Sequence, residues 1–189
     1  SAVPGDRLRL FVAVDVPDAV RDAVAAACAP LRDRAPDARW VDPARWHLTL
    51  AFLGSVERER VPAISAALTA ATAAAAVPHV ALDGRAGTFR RQVLWAGLAP
   101  SPELDALAAA VRAELTDAGI AFDDKPFRPH LTLARAPGRG RLPAGLETAY
   151  QGPALAWDVT EVALVRSVLA GRASRYTREA VFPLGGARA

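Results

Sequence analysis

The chain has 189 residues, the size of one ordinary domain or of two small lobes sharing a core. Charged residues make up 23% with a formal net charge of +3, and the apolar and aromatic set makes up 52%, which excludes a disordered tail protein. No apolar run reaches the roughly 20 residues of a membrane span, and three His with one Cys leave little material for a metal centre or a disulfide framework.

Leu8 to Val14 alternates aliphatic residues against Arg9, Phe11 and Ala13, a period of two that predicts a strand. Asp15–Pro17 then opens a helix with Pro17 in its first turn and Val20, Val24, Cys28 and Leu31 on one face. Pro36 to Pro43 reads as connecting chain with a short strand at Arg39–Val41. His47 to Leu53 is the next strand, with Gly54 as its stop. A helix follows over Glu57–Ala76, with Pro62 in its first turn and Val61, Ile64, Leu68 and Ala71 inward.

Val77–Leu82 reads as a strand, Gly84–Gly87 as a turn and Val93–Leu98 as a further strand. Ser101-Pro102-Glu103 is a strong helix start, and the stripe Leu104, Leu107, Val111, Leu115 runs until Gly119. Phe127–Pro129 leads into a strand at His130–Ala134, Pro137–Pro143 is a loop, and two last strands fall near Trp157–Ser167 and Tyr176–Phe182, joined through Gly171.

Of the 23 basic residues 22 are Arg, and 44 of the apolar residues are Ala, a good helix former and a poor core filler. Base composition alone also produces such a bias, so its distribution says more. Residues 1–127 carry 14 bases against 16 acids, whereas 128–189 carry 9 against 4, a basic C-terminal third suited to a phosphate-rich partner. Cys28, without a partner on an apolar stripe, reads as a buried small hydrophobe in a reducing compartment. No charged-then-apolar leader opens the chain, and Ser1 in a chain without Met reads as a processed start or a tag remnant. The expected compartment is the cytoplasm, with no membrane association and no obligate protein partner.

The two halves share a plan of strand, helix and then His-Leu-Thr-Leu. From Phe11 to His47 is 36 residues, and from Leu94 to His130 is again 36. A duplicated unit over about 8–54 and 93–135 is expected, within one two-lobed domain spanning 1–189. The fold class is α+β: a bilobal, pseudo-symmetric arrangement of two antiparallel sheets with helices on their outer faces and a central cleft.

Alternation along a strand puts His47 and Thr49 on one face, about 6.6 Å apart along the chain, with Leu48 and Leu50 behind. The same holds for His130 and Thr132. Pseudo-symmetry then gathers two imidazoles and two hydroxyls around one cleft. An imidazole, with pKa about 6.5, serves near neutrality as base or as acid. One takes a proton from an attacking oxygen, the other gives one to a departing oxygen, and the hydroxyls donate to the non-bridging oxygens of a phosphate. A 2',3'-cyclic phosphate suits this set, because ring opening needs a base on water and an acid on the ribose oxygen. One His-x-Thr alone is usually structural. Packing accounts for the repeated leucines but not for the repeated polar pair.

These residues carry a resemblance. The two tetrapeptides match the paired HxTx motifs of the two-histidine phosphoesterases. Arg7–Pro17, Trp46–Gly54, Val93–Trp95, Pro126–Arg135 and Arg175-Tyr176 together resemble the branch of RNA 2',3'-cyclic phosphodiesterases, also called the 2'-5' RNA ligase family. The resemblance implies a bilobal α+β fold, no metal and no cofactor, and hydrolysis of an RNA 2',3'-cyclic phosphate to a 2'-phosphate end. It implies His47 as general acid on the 3' oxygen, His130 as general base on water, and Thr49, Thr132 and Arg135 as phosphate ligands. The symmetric spacing alone does not choose acid from base. The partner implied is RNA with 2',3'-cyclic ends, or cyclic nucleotides. The alternatives are 2'-5' ligation at the same site and an RNA-end-binding protein without turnover.

Phe11 and Tyr176 are candidate base or RNA contacts, each with a structural reading beside it: a core aromatic for Phe11, a strand cap for Tyr176. Arg135 has a surface ion pair as its rival reading. Trp46 and Phe127 read as packing supports for the histidines. His79 is expected at a surface strand end, and Arg90 and Arg91 at a solvated hairpin tip. Arg172, Arg175 and Arg178 surround Tyr176 in sequence.

Overall fold

The structure, a computed structural model, describes residues 6–171 and 173–185, which form nine strands and four helices. Strand β1 (Arg7–Asp15) is apolar on both sides from Leu10 to Val14, so it takes a central place in a sheet. Helix α1 (Asp18–Arg34) buries Val20, Val24, Cys28 and Leu31, with Pro17 at its cap position rather than inside its first turn. Strand β2 (Arg39–Trp40) and a 3-10 turn at Pro43–Arg45, capped by the Asp42 carboxylate, lead into β3 (His47–Glu57).

Gly54 does not stop β3. With φ of 72° it lets the strand continue to Glu57 opposite Arg7, because pairing with β1 outweighs the local breaker signal. Helix α2 (Val61–Ala73) is shorter than expected at both ends: Arg58–Arg60 is a 3-10 turn, and the alanines after Ala73 have no bulk to bury. Its inward face adds Ala67 and Thr72 to Ile64, Leu68 and Ala71.

The turn expected at Gly84–Gly87 lies inside strand β4 (His79–Phe89). Chain reversal comes instead at Arg90-Arg91, both with positive φ, before β5 (Val93–Leu98). Helix α3 (Pro102–Asp117) starts at Ser101, whose hydroxyl accepts from the Leu104 N–H, and ends before Gly119 at φ 71°. Then follow β6 (His130–Arg135), a short helix α4 (Leu146–Ala149) with no sequence signal, β7 (Ala156–Asp158), β8 (Glu161–Ala170) and β9 (Ala173–Pro183). The strand expected over Trp157–Ser167 is therefore two, parted at Val159-Thr160, because the chain changes sheets there.

A four-stranded sheet has the order β3-β1-β8-β9 and a five-stranded one β2-β6-β5-β4-β7. All the pairs are antiparallel. One apolar cluster joins both sheets to the helices, from Leu10, Leu48 and Leu164 on one side to Leu94, Leu107 and Leu131 on the other. A second, small cluster of Phe11, Ala13, Ala163 and Val165 lies on the opposite face of the first sheet, with Tyr176 against it. That face looks into a cleft, away from the helices.

β1-α1-β3 and β5-α3-β6 repeat one plan, and the ladders fix its register. Ala13 stands opposite Thr49 and Trp95 opposite Thr132, so Phe11 corresponds to Val93 and not to Leu94. The equal 36-residue spacings are thus one residue out of structural register. Leu94 is fully buried in the core, as its true counterpart Val12 is.

Candidate active site

The two motifs fold alike in a way strict alternation does not anticipate. On β3, Val12 faces Ala51 and Ala13 faces Thr49, leaving Leu50 as an extra, bulged residue. On β6, Leu94 faces Ala134 and Trp95 faces Thr132, leaving Leu133 extra. Each bulge buries two successive residues, Leu50-Ala51 and Leu133-Ala134, and turns the sixth residue of the motif back toward the histidine's face. Phe52 and Arg135 therefore join His47, Thr49, His130 and Thr132 around one cleft of about 560 Å3.

Each imidazole is fastened by the carbonyl two residues earlier. His47 Nδ1 lies 3.1 Å from the Arg45 oxygen, and His130 Nδ1 lies 2.7 Å from the Arg128 oxygen. A carbonyl only accepts, so Nδ1 carries a proton in both rings, and in the neutral rings the lone pair sits on Nε2. The hydroxyls of Thr49 and Thr132 make no hydrogen bond among the described residues and stay available to a ligand.

His47 is the more enclosed ring, its side chain 10% exposed. Phe11 and Tyr176 stand edge-on to it at 6.0 and 5.7 Å, and to each other at 5.0 Å. Its Nε2 is 3.6 Å from Asp15 Oδ1, and Asp15 is gripped by Arg21 and Arg178. Burial pushes the His47 pKa below 6.5; the bond to Arg45 and the Asp15 carboxylate pull it upward, while Arg21 and Arg178 push it down. Around His130 the neighbour is Trp95, edge-on at 6.4 Å. Gly87 makes room for that indole: a Cβ there would lie 2.3 Å from the Trp95 ring.

The remaining candidates divide. Phe11 lines the cleft but is only 5% exposed, so its ring supports His47 and presents little face to a base. Tyr176 is half-buried and reaches the cleft. Arg135 is exposed in the cleft with no ion pair among the described residues, against the surface-pair reading. Trp46 is 2% exposed and donates from Nε1 to the Thr132 carbonyl at 2.9 Å, tying one motif to the other strand. Phe127 packs against the main core. His79 pairs with Asp158 at an exposed strand end, away from the cleft. Arg91 donates to the Leu142 carbonyl and Arg90 lies over Phe89, so this hairpin tip is partly packed. Arg172 lies outside the described residues, and Arg175 is exposed on β9.

Sequence reasoning missed Asp15, Arg39, Arg45, Phe52, Trp95 and Arg128, all in or beside the cleft. A signal existed for two of them. The repeat is longer than four residues, because Pro43-Ala44-Arg45-Trp46-His47 and Pro126-Phe127-Arg128-Pro129-His130 share Pro-x-Arg-x-His before Leu-Thr-Leu-Ala. Both arginines line the cleft, Arg45 half-buried and Arg128 exposed, and neither makes a side-chain hydrogen bond or ion pair among the described residues; Arg45 Nε is buried without a partner. Among the described residues no group of three or more His, Cys, Asp or Glu converges, and no helix is long and apolar enough to cross a membrane.

Comparisons with known proteins bear on the family and the overall fold. A family model described as the 2'-5' RNA ligase superfamily matches residues 16–170. The chain is 33% identical over 177 residues to an RNA 2',3'-cyclic phosphodiesterase of Escherichia coli K12, covering 89% of this chain and 92% of that protein. It is 30% identical over 187 residues to an RNA 2',3'-cyclic phosphodiesterase of Geobacillus stearothermophilus, covering 96% of this chain but 59% of that longer protein. The crystal structure of Escherichia coli LigT complexed with 3'-AMP superposes with a TM-score of 0.78 at 32% identity, covering 94% of this chain and 98% of the other.

Proposed function

Since the chain belongs to the 2'-5' RNA ligase superfamily, we propose that it is an RNA 2',3'-cyclic phosphodiesterase that opens cyclic ends to 2'-phosphates by two-histidine acid–base catalysis without a metal. The observation that carries this reading is the matched pair of imidazoles. Each is pinned at Nδ1 to a backbone carbonyl, in one cleft, with an unengaged threonine hydroxyl two residues on.

In this mechanism His130 Nε2 takes a proton from water as the water oxygen bonds to phosphorus. The bond from phosphorus to the 3' oxygen breaks, and protonated His47 gives its Nε2 proton to that oxygen. The products are a 2'-phosphomonoester and a 3'-hydroxyl, with the donor and acceptor states of the two rings exchanged until solvent resets them. Charge grows on the non-bridging oxygens during the step. In this reading Thr49, Thr132 and Arg135, which line the cleft, donate to those oxygens, where pre-aimed donors count most. Arg39, Arg45 and Arg128 extend the positive lining along the cleft toward the rest of an RNA strand.

The test is product analysis on a 2',3'-cyclic-ended oligoribonucleotide in excess EDTA. A 2'-phosphate end is expected, and a 3'-phosphate end or loss of turnover on chelation would overturn the reading. Adding a 5'-hydroxyl RNA separates hydrolysis from joining: a ligated strand as the main product would put the 2'-5' ligation reading in its place.

A further inference from the structure

The two motifs are near copies, yet the proposed reaction needs them to differ, one as proton donor and one as acceptor. The difference lies on the neighbouring strands. The residue paired with His47 on β1 is Asp15, and the residue paired with His130 on β5 is Gly97, with no side chain at all. Asp15 Oδ1 lies 3.6 Å from His47 Nε2, the nitrogen that would face the phosphate. No acid pairs with His130 among the described residues. The Asp83 carboxylate packs on Gly97 and accepts from the Arg85 N–H without reaching ion-pair distance of that ring.

Asp15 is held fast. Its Oδ1 accepts from the Val16 N–H at 3.1 Å and from Arg21 Nη2 at 2.5 Å, and its Oδ2 accepts from Arg178. Arg21 is itself fixed by donating to the Val16 and Pro43 carbonyls, and Arg178 reaches Glu161 Oε1 at 3.3 Å. A second cavity of about 330 Å3 opens on this side of His47, bounded by Asp15, Asp18, Arg21, Tyr176 and Arg178. The titratable groups facing the ring are therefore Asp15 from β1, Asp18 and Arg21 from α1, Tyr176 and Arg178 from β9, and Arg45 from the preceding turn.

We propose that Asp15, clamped by Arg21 and Arg178, is a positioning residue that makes His47 the proton donor by holding its imidazolium form, while Gly97 leaves His130 free to act as the base. This rests on the phosphodiesterase reading, since only a reaction with distinct donor and acceptor needs the asymmetry. The Asp15 carboxylate favours the imidazolium while Arg21 and Arg178 oppose it: without the carboxylate the two guanidinium groups are left facing the imidazole, and without Arg178 the carboxylate is less compensated.

The two changes therefore act in opposite directions, which a merely structural role would not produce. In the intact protein, the imidazole signals of His47 and His130 are followed by NMR against pH for wild type, Asp15→Asn and Arg178→Gln. The His47 midpoint is expected to fall in D15N and rise in R178Q, with the His130 midpoint unmoved. The alkaline limb of kcat/KM on a cyclic-ended oligonucleotide should follow in the same directions, at about a tenfold change in rate above the limb for each unit of displacement. A His47 midpoint that stays put, or moves the same way in both variants, overturns the assignment. The midpoints are read without substrate: if they move as expected but no 2'-phosphate forms, the phosphodiesterase reading fails and the Asp15–His47 coupling stands.

Discussion

His47 sits where enclosure and charge oppose each other, and both consequences are measurable. Its pKa lies below 6.5 in the folded protein because burial disfavours the cation. In the unfolded chain the same ring keeps the ordinary value, so between the two pKa values the unfolded state binds more protons and stability rises with pH. Urea midpoints should therefore drop as pH falls from 6.5 through the folded His47 pKa and level off below it, and His47→Gln should remove that step. In catalysis, a donor depressed in the free enzyme gives kcat/KM an alkaline limb beginning below pH 6.5. A bound cyclic phosphate, a monoanionic diester, favours the imidazolium, so the limb of kcat should lie higher. Coincident limbs in the two profiles would argue against His47 as donor. The histidines and threonines were legible in sequence because a polar pair repeated on an apolar strand has no packing reason. Asp15 was not, because a lone Asp before Val-Pro reads equally well as a helix start, and its partner is set by pairing between strands.

At the scale of elements, the two bulges carry the site. Period-two alternation, read from one strand, places Phe52 and Arg135 with the leucines; the extra residues Leu50 and Leu133 return them to the cleft. A bulge belongs to a pair of strands, so no single segment announces it. The glycines misled for the same reason, since Gly54 and Gly84, both at positive φ, lie inside strands that pairing with their neighbours carries past them. The helices were the easier reading: α1 and α3 bury the stripes their spacing specifies. Gly87 shows what an in-strand glycine does here, because its missing side chain admits the Trp95 indole beside His130. Gly87→Ala should displace that ring at a cost of about 1–3 kcal/mol in unfolding free energy. It should also lower kcat more than it raises KM, checked by urea titration and steady-state kinetics.

Across the whole molecule, one apolar cluster runs through both sheets, and the Trp46 bond to Thr132 ties the motifs to each other. We expect a single cooperative unfolding transition, with fluorescence and far-ultraviolet dichroism coincident. The charge pattern was only partly legible. The C-terminal third is basic, but the cleft draws its arginines from both halves: Arg39 and Arg45 from one, Arg128 and Arg135 from the other. Linear charge counts average over faces and so miss what folding gathers. Arg45→Gln and Arg128→Gln should each weaken binding of a cyclic-ended oligonucleotide and reduce its salt slope by about 0.7. Loss of a cyclic mononucleotide to the same extent would place these residues at the reacting phosphate instead of along the strand.

The central claim is that two histidines divide one proton-transfer task. It is tested most directly by single-turnover hydrolysis of a 2',3'-cyclic-ended oligoribonucleotide by His47→Ala, His130→Ala and the double variant, with folding checked by circular dichroism. Each single variant should lose about 10²–10⁴-fold in rate, and the double should lose far less than the product of the two, because donor and acceptor act in the same step. Wild-type-like turnover by either folded single variant would contradict the account.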